Sequence, residues 1–220
     1  MDNLFEKIKN TFKKQEIKTQ NEDVPSIINR MYASLDFAEI SVCVGTDLDA
    51  LVENLAEKIG NLRQLMFDKN GFILPVIPMT VNEEYQENEY RIFVRGNEVF
   101  TGFVIPNQDF APDEICQKIE DVCEEHLSEI FSTVVVEKYI DLVNSVTNRL
   151  VRSLFDITDI TGVRIILLDL LKDGKSIKNI TSICEKICEF GAKNRAQYSK
   201  FTPKIIGDFV KQNMATLSDD

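Results

Sequence analysis

Residues 71–103 read G-F-I-L-P-V-I-P-M-T-V-N-E-E-Y-Q-E-N-E-Y-R-I-F-V-R-G-N-E-V-F-T-G-F, and they divide into three strand-like pieces. The first, 72–81, is apolar and β-rich but contains Pro75 and Pro78. Proline cannot donate to a ladder, so this piece belongs at a sheet edge or breaks there. The second, 89–95, sets Tyr90, Ile92 and Val94 against Arg91, Phe93 and Arg95, the alternation of a half-buried strand. Gly96 and Asn97 then supply turn chemistry, and 98–104 returns as the partner strand of a hairpin. No residue pattern here points to catalysis; the stretch reads as a scaffold.

Upstream, 37–44 (F-A-E-I-S-V-C-V) is another strand, broken at Gly45. Thr46 with Asp49 makes a capping pattern for a helix over about 47–69. Its Leu48, Leu51, Val52, Leu55, Ile59, Leu62 and Met66 recur at helical spacing, and Asn70-Gly71 is its stop. A short helix fits 26–35. The order β-α-β-β-β predicts a small α/β domain with a mixed sheet over 26–105. After a connector at 105–111 the pattern turns helical. Pro112 takes a first-turn position, with Asp113 and Glu114 favourable against the helix dipole. Ile115, Cys116, Ile119, Val122, Cys123, His126, Leu127 and Ile130 share one face of that helix. Further helices are expected over 134–155, over 163–172 (ending at Gly174), over 177–190 (capped by Ser176, stopped at Gly191) and from Thr202-Pro203 to Met214. They predict a helical domain over 109–215 with a tail at 216–220, so the fold class is α+β.

In front stands an amphipathic arm and linker, 1–25. Leu4, Phe5, Ile8 and Phe12 fall on one helical stripe, and Lys7, Lys9, Lys13, Lys14 and Lys18 make the arm locally basic. Three readings stay open: a helix packed on its own domain, a detachable arm seated in a neighbour's groove, and a helix on a membrane surface.

With 220 residues, 44% hydrophobic and 28% charged, the chain has the composition of a soluble globular protein. A formal net charge of −11 argues against nucleic acid or an anionic membrane as the main partner. No apolar run reaches a membrane-spanning length, and the N-terminus lacks the apolar core of a signal peptide, so neither a transmembrane segment nor export is expected. Five cysteines fit a reducing cytoplasm. Cys116 with Cys123, Cys184 with Cys188, and Cys123 with His126 would share helix faces. Without C-x-x-C spacing they read as core residues and not as metal ligands.

The chain has no glycine-rich phosphate loop, no G-x-S-x-G and no H-E-x-x-H. His126, the single histidine, reads as a mid-helix residue. The expectation is therefore no enzyme, no catalytic residue, no metal and no cofactor. The helix pair across 163–190 has the outline of a helix-turn-helix, which keeps a nucleic-acid-binding regulator as the alternative. Its second helix carries too few cations to track phosphates well.

In order and spacing, Pro75, Pro78, Asn82, Asn88, Tyr90, Ile92, Gly96, Glu98, Val99 and Gly102 resemble the cytoplasmic region of the export-gate (FHIPEP) family of flagellar and type III secretion systems. Ile59, Leu62, Arg63 and Gly71 resemble that family's basic helix and its closing glycine, and 167–187 is similar to its helical pair. The resemblance, spanning roughly residues 36–213, implies a self-associating scaffold that contacts other export components without catalysis or cofactor. In the family the cytoplasmic half stands as a nine-membered ring and receives chaperone–substrate complexes. A linker ahead of its first domain contacts the neighbouring subunit, the place that Leu4, Phe5, Ile8 and Phe12 hold here. The likeness further implies a cytoplasmic protein, held at the inner face of the membrane through partners. On it, Arg63, Gly71, Pro75, Asn82, Tyr90, Gly96, Val99 and Gly102 are expected to be scaffold positions. Compared with the family pattern the chain is reduced and divergent. On this likeness a member without the membrane half is expected, with only 105–111 where the family inserts a small domain and little beyond the stretch matching 205–214.

Overall fold

A computed structural model describes residues 38–105, 111–194 and 201–214, all within the unit Ala38–Asp220. The arm, the helix expected over 26–35 and the tail lie outside the described residues. Strand β1 (Ile40–Val44) leads through a 3-10 turn (Thr46–Leu51) into helix α1 (Val52–Asn70), followed by β2 (Met79–Val81), β3 (Glu89–Val94) and β4 (Asn97–Phe103). The sheet order is β2-β1-β3-β4. β1 runs parallel to β2 and antiparallel to β3, and β3 is antiparallel to β4. The mixed sheet and the β-α-β-β-β order match the sequence expectation.

The pleat explains which residues are inside. Ile40, Val42 and Val44 on β1 and Tyr90, Ile92 and Val94 on β3 are buried, while Ser41, Cys43, Arg91 and Phe93 between them are half-covered. Successive side chains point to opposite faces, so one period-two row builds the core. Pro75 and Pro78 precede β2, which is only three residues long and lies at the sheet edge, where a missing donor costs no ladder bond. Leu55, Ile59, Leu62 and Met66 form the buried stripe of α1 and belong to the same apolar cluster as the strand residues. Each such side chain contributes about 1.5–3 kcal/mol of burial free energy.

The hairpin turn sits one residue earlier than the sequence suggests. Val94 pairs with Asn97, so Arg95 and Gly96 are the two central residues, at φ 50° and 78°. Two-residue hairpins of type I′ need positive φ at both positions, because only that geometry follows the twist of the strands. Gly96 meets the need without strain.

Seven helices follow among the described residues: α2 (Ala111–Glu125), α3 (Leu127–Ile130), α4 (Thr133–Val146), α5 (Asn148–Phe155), α6 (Ile160–Lys172), α7 (Ile180–Lys193) and α8 (Pro203–Met214). Several bounds correct the sequence reading. The face from Ile115 to Ile130 is split at His126, which is the N-cap of α3 and not a mid-helix residue. The helix expected over 134–155 breaks at Thr147, whose φ of −148° is extended. α6 begins earlier than 163, because the Asp159 side chain accepts from the Gly162 N–H. α7 begins three residues after Ile177, capped by Asn179 through the Ser182 N–H, and runs on through Gly191. The Ile177 N–H is instead bonded to the Asn70 carbonyl at 2.7 Å.

Candidate interaction surfaces

Arg63, Gly71, Pro75, Asn82, Tyr90, Gly96, Val99 and Gly102 all lie in the sheet half, and Arg63, Gly71 and Asn82 tie backbone together through hydrogen bonds. Arg63 Nε donates to the Leu74 carbonyl at 2.9 Å, tying α1 to the chain ahead of β2. Pro75 is buried beside it. The Asn82 N–H donates to the Val44 carbonyl, and its Oδ1 accepts from the Glu84 N–H, so the residue closes the end of β2 onto β1. Val99 is partly buried against the core. Tyr90 and Gly102 are cross-strand partners. A Cβ built at 102 would stand 2.8 Å from the Tyr90 ring and 2.7 Å from the Phe100 ring, so the bare glycine lets these two aromatic rings meet at a 44° tilt with centroids 5.6 Å apart. Burial, with smaller contributions from the Glu114 and Asp121 carboxylates, pushes the Tyr90 phenol up to about 12.

Gly71 has a different role. It caps α1 in the left-handed region at φ 82°, and its Cβ would lie 2.5 Å from the Lys178 backbone nitrogen. The Tyr139 hydroxyl, from α4, donates to the Gly71 carbonyl at 2.8 Å and accepts from the Ile73 N–H at 2.6 Å. Lys178 Nζ donates to the Asp68 carbonyl at 2.6 Å. The end of α1 is thus held between α4 and the approach to α7, a clamp that sequence spacing does not reveal. Burial pushes the Tyr139 phenol up to about 12, with its backbone bond to Ile73 pulling the other way.

On the open side of the sheet, Glu89 is 4% exposed. Its carboxylate accepts from Arg91 Nε at 2.6 Å and from the Gln86 N–H at 3.1 Å, and these bonds, Arg91 first, hold it below the usual carboxylate range. Arg91 also bonds Glu98 at 2.8 Å and lies 4.2 Å over the Tyr85 ring. This network holds the 82–88 loop against the hairpin.

A groove of about 360 Å³ opens between α1, α2 and the end of α6, lined by Leu65, Met66, Phe72, Leu127, Leu171 and Glu120 among others. A neighbouring hollow of about 430 Å³ shares Leu65 and Glu120 and continues along the α1–α2 seam to Asp113. Its floor is apolar, and along its wall Glu124 pairs with Lys69 and Asp113 with Lys58, while Glu120 makes no ion pair with a lysine or arginine among the described residues.

His126 Nδ1 lies 2.9 Å from Glu129 Oε1 on the next turn. Among the described residues no three His, Cys, Asp or Glu converge as metal ligands, and burial pushes the Cys123 and Cys184 thiols up to about 12. On the helix pair kept for nucleic acid, Lys178 is bonded to Asp68, and Lys186 and Lys193 both pair with Glu189. Those cations are already engaged within the protein. Leu4, Phe5, Ile8 and Phe12 lie outside the described residues. No described helix is long and apolar enough to cross a membrane.

The FHIPEP family model matches residues 3–118, more than half of the chain. No curated protein matches it. The fold is similar to the CdsV protein of Chlamydia pneumoniae, with TM-score 0.68 and 14% identity over 83% of this chain and 66% of that one. CdsV has also been solved in complex with CdsO. The fold is similar again to MxiA of Shigella flexneri, with TM-score 0.59 and 14% identity over 83% of this chain and 65% of that one. Nonameric SctV-C of EPEC gives TM-score 0.64 and 13% identity over 80% and 64%. The chain therefore spans slightly less than two thirds of these solved chains, and at such identity the likeness speaks for the fold.

Proposed function

This chain belongs to the FHIPEP family, and on that premise we propose that it is a non-enzymatic scaffold of a protein-export gate, self-associating and contacting other export components on the cytoplasmic side of a membrane. The family match carries the reading. It is supported by a nonameric solved relative by fold and by another solved with a second protein. The chemistry of the described surface agrees: braced backbone, an apolar groove and few reactive groups.

Self-association in this reading runs through the arm. Leu4, Phe5, Ile8 and Phe12 would lie in the groove beside Leu65 and Leu127 of a neighbouring copy, with the arm's lysines facing the carboxylate of Glu120. From Asp113 to Glu125 the α2 side of the groove is about 18 Å long at 1.5 Å per residue, room for three helical turns. The mode is an amphipathic helix in an apolar groove. Sedimentation velocity on the full chain and on one lacking 1–18 tests this. Oligomers that disappear with the arm are expected, and Leu65→Ser should weaken them without unfolding the protein. A monomer in both forms at high concentration would overturn the proposal.

A further inference from the structure

We infer that the outer face of α4 and the start of α5 dock an acidic amphipathic helix of another protein. α4 buries Val135, Val136, Tyr139, Ile140 and Val143. This leaves Val134, Lys138, Leu142 and Val146 in a row four residues apart, on one line of the opposite face. Val134 is 56% exposed, Leu142 55% and Val146 80%, the last being the most exposed large hydrophobic among the described residues. The row is about 18 Å long at the helical rise, the length of a three-turn partner. Helix-in-groove recognition reads anchors at this spacing.

Charge names the partner. Arg149 and Arg152, one turn apart on the exposed face of α5, follow three and six residues after Val146, so the Cα of Arg149 is within about 11 Å of it. Neither makes an ion pair or side-chain hydrogen bond in a chain of net charge −11. The other described arginines are all engaged: Arg63 with the Leu74 carbonyl, Arg91 with Glu89 and Glu98, Arg95 with Glu39, and Arg164 with the Phe131 carbonyl. Two free guanidinium forks beside exposed aliphatic side chains are the composition of a binding centre, matched by carboxylates in paired geometry. Glu137 and Asp141 are exposed on α4 itself, so the partner's carboxylates belong at the α5 end. A second copy of this acidic chain is the competing occupant, and the sedimentation arm of the test below separates it from a foreign helix.

The inference rests on the scaffold reading only in that the chain works by contact, and its assay is separate. The probe is a fluorescein-labelled helical peptide of about 14 residues, with leucine at every fourth position and glutamate at one end. Anisotropy is read against the full chain at low and moderate salt. Micromolar binding is expected, weakened about ten-fold or more in Leu142→Ser/Val146→Ser and in Arg149→Glu/Arg152→Glu and partly kept in Arg149→Lys/Arg152→Lys. All these positions are exposed, and circular dichroism checks that each variant folds. Equal binding of a peptide with lysine for glutamate, or binding unchanged in the variants, would overturn the inference. So would a sedimentation coefficient of the chain alone that shifts in the variants, since the face would then join copies of this chain.

Discussion

Two left-handed glycines make a matched experiment. Gly71 and Gly174 stand at φ 82° and 68°, so alanine at either costs about 1–2 kcal/mol for the left-handed conformation alone. Around Gly174 nothing lies within 4 Å of a new Cβ, whereas at Gly71 the Cβ would sit 2.5 Å from the backbone nitrogen and 2.9 Å from the Cα of Lys178. Backbone cannot swing aside as a side chain can. The approach to α7 must therefore move, straining the 2.7 Å bond from Ile177 N–H to the Asn70 carbonyl and the Tyr139 bridge. Overpacking of this kind adds about 1–3 kcal/mol, and a loosened hydrogen bond about 1 kcal/mol. Gly71→Ala should then cost roughly 3–6 kcal/mol and Gly174→Ala about 1–2 kcal/mol. Urea unfolding followed by far-ultraviolet circular dichroism reads both. A gap of about 2 kcal/mol moves the midpoint by roughly 1 M. Equal losses, or a Gly71 variant no worse than its partner, would refute the clamp.

Arg91→Ala should destabilise the fold, because it strands the Glu89 carboxylate that Arg91 holds below the usual carboxylate range. Adding Glu89→Gln, which removes the charge, should recover part of the loss, and the same urea titration measures both. Raising the pH should weaken the fold. The Tyr90 and Tyr139 phenols rise from 10 to about 12, and the Cys123 and Cys184 thiols from 9 to about 12. The unfolded chain releases these protons first, so the stabilisation is complete below pH 9 and lost as pH climbs from 9 towards 12. A melting temperature that stays level to pH 11 would contradict this.

What the sequence revealed was what repeats locally. Tyr90, Ile92 and Val94 alternate, so β3 and its hairpin were visible, and two prolines marked the edge strand. The turn was displaced because Arg95, a non-glycine residue at φ 50°, gives no signal of positive φ. The break between α4 and α5 was hidden because apolar spacing continues across Thr147 without glycine or proline. Ser176 is a good cap by type and its Oγ accepts from the Lys178 N–H, yet the Ile177 N–H is taken by Asn70, brought close only by the fold, and the helix starts at Ile180 with Asn179 as its cap. Tyr139 recurs with Val135 and Val143 at helical spacing within 134–155, and nothing in that period discloses that its hydroxyl reaches Gly71. Leu142 and Val146 share the apolar spacing of Val135, Tyr139 and Val143, so by sequence they read as part of the same stripe; the structure leaves both exposed, and only exposure separates the two faces.

The clamp at the end of α1 also has a schedule. Its fasteners arrive late during synthesis: the Tyr139 hydroxyl is 68 residues downstream of the carbonyl it holds, and Lys178 is 110 residues downstream of Asp68. At about 5–20 residues per second on the ribosome, the second fastener follows its target by roughly 5–20 s. Through that interval the hairpin can form while the last carbonyls of α1 remain hydrated, and the nascent sheet half waits for the helices to secure it.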